Sequence, residues 1–321
     1  MKSWEKALDI LDNNNKFLIV SHKNPDGDSL GSEIAMALAL KKMNKQGYIF
    51  NSDPPPKRYS NFPKASLIKT ERKEFTEDVT LFVDCAEVER IGKIKDYIDF
   101  SKPIINIDHH IGNTEFGTVN VIKPDYSSTA EIIYKMLKDK IKIDKEIATY
   151  LYIGILTDTG AFRYPNTTSH SLRVASELVS YGVIASQVSE FIWFTDPEAR
   201  IKLLGDVLRK MNLYDKISIM TVTKKMLKEH GAKEEDTEEF IDYGLAIDGI
   251  ITAAIIKERK NGIFKISLRS KNNVPVQELA AKYGGGGHRT ASGFTVKRND
   301  LNSFKKELKQ ELEKLVEKHH N

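Results

Sequence analysis

Carboxylates and imidazoles recur where apolar runs end in the first half of this chain. The stretch His22-Lys-Asn-Pro-Asp26-Gly-Asp28-Ser-Leu-Gly-Ser32 follows FLIVS, Asp84 closes TLFVD, Asp108-His109-His110 closes PIINID, and Asp158 closes YIGILTD. Residues distant in sequence can thereby converge on one edge of a sheet. Asp26 and Asp28 are two positions apart, so in a turning segment their carboxylates can diverge toward two cations while one such as Asp84 bridges them. Oxygen and imidazole donors without a thiolate suit Mn2+ or Mg2+ better than a closed structural zinc site. Any one of these residues alone reads equally well as a helix cap or turn residue. Capping, however, does not require two aspartates, a histidine and then Asp-His-His in order, so the set points to metal. Two cations held side by side polarise a phosphoryl group and activate water, and no amino-acid nucleophile is then required.

Those residues need elements to position them. Short β-rich runs at 17–21, 80–84 and 103–108 alternate with helical patterns at about 29–44, 128–139 and 145–156. Such alternation predicts an α/β domain with a mostly parallel sheet flanked by helices and functional residues at the carboxyl ends of strands. Residues 51–74, with Pro54-Pro55-Pro56, read as a crossing loop. After Asp158 the pattern is helical to about 213. A smaller C-terminal α/β domain with a mixed sheet follows, built from KISIMTVT, GIITAAIIKE, GIFKISLRS and ASGFTV, with a short helix near 276–282 and a charged last helix from Leu301 to Lys318 that reads as solvated surface. The expected division is a first domain at 1–185, a helical linker at 186–215 and a second domain at 216–321, with a cleft between the domains.

The chain of 321 residues is longer than one hydrophobic core usually organises. Lys plus Arg (49) nearly cancel Asp plus Glu (45), leaving +4, which is not the balance of a duplex-coating protein. Cys85 is the one cysteine, so a disulfide framework and a thiolate zinc cluster are excluded, and a reducing cytoplasm fits. Next to Asp84 at the end of an apolar run, Cys85 reads as a small core residue. Neither a signal-peptide h-region nor an apolar run of membrane-spanning length is present, and a soluble protein is expected.

Four consecutive glycines disfavour regular structure and read as a backbone that approaches a ligand closely or offers N–H groups to an anion, against the plainer reading of a flexible turn. His288 and Arg289 follow them, and Arg269 and Lys271 precede them at the end of a strand, a set able to clamp a phosphate. Arg163 lies near Asp158 and reads equally as a phosphate contact or a surface ion pair; Tyr283 and Phe294 read as packing before base stacking.

In this order and spacing the first-half residues resemble the four motifs of the DHH phosphoesterase superfamily, and Gly284-Gly-Gly-Gly-His288-Arg-Thr-Ala-Ser-Gly293 resembles the signature of its DHHA1 companion domain. The resemblance covers nearly the whole chain and is nearest to the compact two-domain branch of nanoRNase/pAp phosphatases and stand-alone dinucleotide phosphodiesterases. It implies one Mn2+ on His22, Asp26 and Asp84 and another on Asp28, Asp84, His109 and Asp158, with Mg2+ or Co2+ as alternatives. It further implies that Asp108 orients a ligand, that His110 faces substrate, and that Arg269, Gly286, Gly287 and His288 bind the non-scissile end. The implied activity is hydrolysis of short single-stranded oligonucleotides and linear dinucleotides to 5′-mononucleotides, with pAp phosphatase activity; hydrolysis of cyclic-di-AMP is the neighbouring alternative. A family II pyrophosphatase or exopolyphosphatase is more distant, because Arg269-Ser270-Lys271 is not the Ser-Arg-Lys signature of that branch. A nucleotide-binding module without turnover is disfavoured, since binding alone does not need so complete a set of metal donors. The resemblance also makes a homodimer an expectation.

Overall fold

The computed structural model describes residues 3–60, 62–72 and 74–319. The chain divides into two units, Met1–Thr195 and Asp196–Asn321, and a six-stranded sheet organises each. In the first unit the strands are β1 (Lys16–Val20), β2 (Gln46–Phe50), β3 (Ile68–Lys69), β4 (Val79–Val83), β5 (Ile104–Asp108) and β6 (Val119–Ile122). All neighbours are parallel, in the order β3-β2-β1-β4-β5-β6. The direction of winding reverses between β1 and β4. In open parallel sheets, ligands bind beyond the strands' carboxyl ends at such a reversal. His22 lies just past β1, Asp84 just past β4, and Asp108 is the last residue of β5.

Among the described residues the α-helices of this unit are α1 (Ser3–Asn13), α2 (Gly27–Lys42), α3 (Thr129–Leu137), α4 (Lys145–Asp158), α5 (Ser169–Ser180) and α6 (Ala185–Trp193). The apolar residues of β1, β4 and β5 are buried throughout, because helices and loops cover both sheet faces. The helix expected from Ser29 starts at Gly27 instead, because Asp26 caps it. Five strands have no counterpart in the sequence pattern: β2, β3, β6 and, in the second unit, Asn212–Tyr214 and Gly286–His288. They run from two to five residues, too short for a periodicity to register.

Helices α2 and α4 cross at Gly31 and Gly154. A Cβ on Gly31 would lie 2.5 Å from the Tyr150 carbonyl oxygen, and one on Gly154 would lie 2.6 Å from Asp28 Oδ1. Backbone contact at this crossing thus sets the depth at which the α2 aspartate sits.

The second unit comprises α7 (Glu198–Arg209), β7 (Asn212–Tyr214), β8 (Ile217–Val222), α8 (Lys224–His230), α9 (Phe240–Leu245), β9 (Thr252–Glu258), β10 (Ile263–Ser270), α10 (Val276–Lys282), β11 (Gly286–His288), β12 (Ala291–Lys297) and α11 (Leu301–His319). Its sheet runs β11-β12-β10-β9-β8-β7, mixed because β8 and β9 are parallel while the other pairs are antiparallel. Two expectations are corrected here. The last helix is not polar surface: Phe304, Leu308, Leu312 and Leu315 form a buried stripe packed with Phe264, Ile266 and Phe294. Gly286 and Gly287 are not loop, because with His288 they form an edge strand against β12. No helix among the described residues is long and apolar enough to cross a membrane.

The helix crossing yields a stability prediction. Gly31→Ala is expected to destabilise the chain by about 1–3 kcal/mol, since the displaced atoms are backbone and cannot change rotamer. Urea unfolding would measure this; an unchanged midpoint would show that the helices do not meet so closely.

Candidate metal centre

Asp84 leaves β4 with φ +56, in the left-handed region that non-glycine residues seldom occupy, and its N–H donates to the Ile107 carbonyl at 3.0 Å. The turn directs its two oxygens at different neighbours. Oδ2 lies 3.5 Å from His22 Nε2, and Oδ1 lies 3.8 Å from His109 Nε2. Asp26 Oδ2 is 3.8 Å from His22 Nε2, and Asp158 Oδ2 is 3.5 Å from His109 Nε2. Three overlapping groups result, each with donor atoms within 4.8 Å of one another: His22, Asp26 and Asp84; Asp28, His109 and Asp158; Asp84, His109 and His110. All six residues expected as ligands therefore lie in one connected cluster.

Each donor is held from behind. His22 Nδ1 donates to the Lys23 carbonyl at 2.9 Å, which fixes the tautomer and leaves Nε2 facing the carboxylates. Asp26 caps α2 through Oδ1 alone, accepting from the N–H groups of Asp28 and Ser29, so its other oxygen remains directed at His22. Capping and cluster membership are thus combined in one carboxylate. Asp28 accepts from Thr129 N at 2.7 Å and Ala130 N at 3.0 Å, the first amides of α3. The Thr129 hydroxyl donates to Asp84 Oδ1 at 3.1 Å, and Asn166 donates to Asp158 Oδ2 at 3.3 Å. Asp108 is fully buried; it accepts from His110 Nδ1 at 2.7 Å, from the His109 N–H at 2.9 Å and from Asn113 Nδ2 at 2.6 Å. Its carboxylate orients the ring of His110.

The sequence pattern does not single out Thr129, Asn113 or Asn166. Ser127-Ser128-Thr129 did carry a helix-start signal, and Ser128 is indeed the cap of α3. Nothing local indicated that the same helix start would reach Asp28 and Asp84. Cys85 is buried with its thiol pushed up to about 12 by burial, and its Sγ donates to the Glu87 carbonyl. It takes no part in the cluster.

The electrostatics fit a cation. Burial, together with the charges of Asp84 and Asp158, holds Asp28 well above the usual carboxylate range. Burial also raises Asp158 to about 7, with Asp26 and Asp84 adding to the shift against the pull of His109. Burial opposes the charge on Asp84 too, yet His22, His110 and His109 together hold it well below that range. His22 rises to about 9 because Asp84 and Asp26 outweigh its burial. Protons and imidazolium charge thus offset carboxylates that crowd one another, the role a divalent cation performs with oxygen and nitrogen donors.

Glu33 of α2 is buried behind His22 and accepts from Asn51 Nδ2 at 2.8 Å. Burial pushes its carboxyl up to about 8 from 4.5.

The second unit presents its sequence-derived residues on its own sheet. Arg269 of β10 pairs with Ala291 of β12, which pairs with His288 of β11, so Arg269 and His288 share a row and a face with the small Ala291 between them. Gly286 lies in the next row of that face, and Gly287 has φ +134, a conformation that L side chains rarely adopt. Arg289 is exposed and its Nε donates to the Asn273 carbonyl. Arg163, in the first unit, is exposed and donates to the Gly160 carbonyl at 2.7 Å. Tyr283 and Phe294 stack on each other, with ring centroids 4.5 Å apart, and the Tyr283 hydroxyl donates to Glu307, so both are packing residues.

A family model described as "DHH family, N-terminal domain" matches residues 16–155, and one described as "DHHA1 domain" matches residues 216–314. The chain is 36% identical to the "Bifunctional oligoribonuclease and PAP phosphatase NrnA" of Thermus thermophilus, over 88% of this chain and 85% of that protein. It is 30% identical to the "Probable bifunctional oligoribonuclease and PAP phosphatase NrnA" of Streptococcus mutans, over 93% of this chain and 94% of that protein. Among solved structures, an exopolyphosphatase-related protein from Bacteroides fragilis superposes with a TM-score of 0.91 at 28% identity, covering 97% of this chain and 96% of that one.

Two predictions follow from the way the cluster is held. Thr129→Val is expected to weaken Mn2+ affinity by about 10–100-fold, as loss of a group that orients a ligand commonly does, with Thr129→Ser close to the unsubstituted chain. Calorimetric titration would show this, and equal affinities in all three chains would remove Thr129 from the centre. For Glu33, the folded state keeps between about pH 4.5 and 8 a proton that the unfolded chain has released, so its contribution to stability falls as pH rises through that window. Glu33→Gln should flatten the decline of the urea midpoint across this range; an identical slope would mean that Glu33 is ionised in the fold.

Proposed function

The chain belongs to the DHH/DHHA1 superfamily, in its branch of bifunctional oligoribonuclease and PAP phosphatase proteins, and is a metal-dependent phosphoesterase; from this we propose that it hydrolyses short single-stranded oligonucleotides and linear dinucleotides to 5′-mononucleotides, and pAp to AMP. One observation carries the reading. The two oxygens of Asp84 face two separate donor groups, as a carboxylate bridging a pair of cations must.

We infer that His22, Asp26 and Asp84 hold one Mn2+ and that Asp28, Asp84, His109 and Asp158 hold the other. When bound, such a pair polarises the phosphoryl group and lowers the pKa of the attacking water. The protein's own residues supply the rest. Asp108 fixes the ring of His110 through Nδ1, and although burial opposes the charge, the contacts with Asp108 and Asp84 raise the proton affinity of His110. An imidazolium there can donate a proton to the leaving oxygen. The amides of Thr129 and Ala130 hold Asp28 in place, so the site does not reorganise as charge develops. On the second unit, Arg269 and His288 are suited to a terminal phosphate, and the glycines beside them let a nucleotide approach the backbone.

Chromatographic product analysis after incubation with Mn2+ and, separately, pAp, pApA, cyclic-di-AMP, a five-nucleotide RNA and pyrophosphate tests the proposal. AMP from pApA and pAp, and mononucleotides from RNA, are expected, with turnover reduced at least about 1,000-fold in Asp84→Asn, a loss of about 4 kcal/mol of transition-state stabilisation. Asparagine tolerates the left-handed turn, so the variant should remain folded. Release of phosphate from pyrophosphate alone would replace this reading with that of a pyrophosphatase.

A further inference from the structure

The edge of the second sheet formed by β10, β12 and β11 leaves one face open, and its charge has one sign. Pairing register and strand alternation place Lys265 and Arg269 of β10, Thr295 and Lys297 of β12, His288 of β11 and Lys257 of β9 on that face. Lys265, Thr295, Lys297 and His288 are exposed, and a Cβ added to Gly286 on the same face would meet nothing within 4 Å. None of the residues that β10, β11 and β12 contribute to this face is acidic. Lys265 stands directly opposite Lys257, and Lys297 is diagonal to it.

Like charges directly opposed in a sheet repel and are destabilising. Burial and the neighbouring Lys265 pull Lys257 down to about 8. The charges of Glu238 and Glu234 act on Lys257 in the opposite sense, and Glu234 is engaged by Arg259. Among the described residues, neither Lys257, Lys265 nor Lys297 forms an ion pair. From Arg269 to Lys265 the strand runs about 13 Å, at about 3.3 Å per residue. On the β10 and β12 side the residues between and beside them are small or hydroxylated, Ser267, Gly293 and Ala291, while on β9 Ile255 and Ala253 of the same face are buried in the apolar core, which confines the open strip to β10, β12 and β11 with Lys257 at its border.

We propose that this face is a track for the backbone of a single-stranded oligonucleotide: Arg269 and His288 meet the phosphate next to the scissile one, which in a dinucleotide is the terminal phosphate, and Lys265, Lys257 and Lys297 meet phosphates further from the scissile bond. The inference rests on the oligonucleotide activity proposed above and adds a preference for length. A dinucleotide is too short to reach from Arg269 to the lysines, so they contribute only to longer chains. A charged groove that follows a backbone without reading bases is a common device for single strands.

The triple variant Lys257→Gln/Lys265→Gln/Lys297→Gln tests the track, since these side chains are exposed or half-buried and their loss leaves the core intact. Fluorescence anisotropy in EDTA would follow binding of a labelled five-nucleotide RNA and of labelled pApA, alongside hydrolysis of both with Mn2+. For the five-nucleotide RNA, Kd and KM should rise about tenfold or more, and the slope of log affinity against log salt should shrink by about 1–2. For pApA both should stay within about twofold of the unsubstituted chain. An equal loss on the two ligands, or no change on the longer one, overturns the track. If the unsubstituted chain hydrolyses neither ligand, the proposed activity fails, and the anisotropy measurements still decide whether the lysines bind RNA.

Discussion

Asp84 past β4, Asp28 in the first turn of α2 and Asp158 at the end of α4 meet beyond the carboxyl ends of a parallel sheet, and their mutual repulsion is the constraint around which the first unit is arranged. Carboxylates so close together do not all remain charged without compensation. The fold provides it in three forms. Amides at the start of α3 donate to Asp28, imidazoles surround Asp84, and Asn166 holds Asp158. What these groups leave uncompensated is what a divalent pair would supply. The left-handed turn at Asp84 has its reason here, because it presents one carboxylate to both donor groups at once.

The donors are placed by packing as much as by hydrogen bonds. Backbone contact between α2 and α4 brings Asp28 beside Gly154, and any side chain at that glycine would displace the carboxylate. Behind α3, Glu131 is fully buried and accepts from the N–H and hydroxyl of Ser127 while contacting His170. Asn166 ties the Ser127 carbonyl to Asp158. A continuous polar chain therefore runs from the cluster out to the half-exposed His170. Hydrogen-bonded side chains of this kind hold their neighbours in place, which suits a site whose donors must not relax; among the described residues Asn166 Oδ1 finds no partner.

The second unit works with the opposite charge. Its sheet buries one face beneath α10 and α11 and presents basic residues and bare backbone on the other near β11. Acidic donors that gather cations and basic groups that gather phosphates would neutralise each other if interleaved. The chain keeps them on separate sheets in separate units.

The sequence by itself singled out His22, Asp26, Asp28, Asp84, His109 and Asp158, which the fold gathers: His22, Asp84 and His109 follow parallel strands, where a strand's successor residue emerges, whereas Asp26 and Asp28 open helix α2 and Asp158, expected at a sheet edge, closes helix α4. It likewise determined the alternating first half, the mixed second sheet and the burial of Cys85, since apolar periodicity and residue type are local properties. Only the tertiary structure decided that Thr129 and Ala130 would meet Asp28 across about a hundred residues of chain, that Asn113 would hold Asp108, and that Asp84 would adopt a left-handed turn. These depend on which strands become neighbours, and a helix cap looks the same in sequence whether or not its amides face a carboxylate. The same holds for Gly286 and Gly287, whose composition reads as loop. Pairing with β12 supplies the hydrogen bonds that make them a strand, and that partner lies outside any local window.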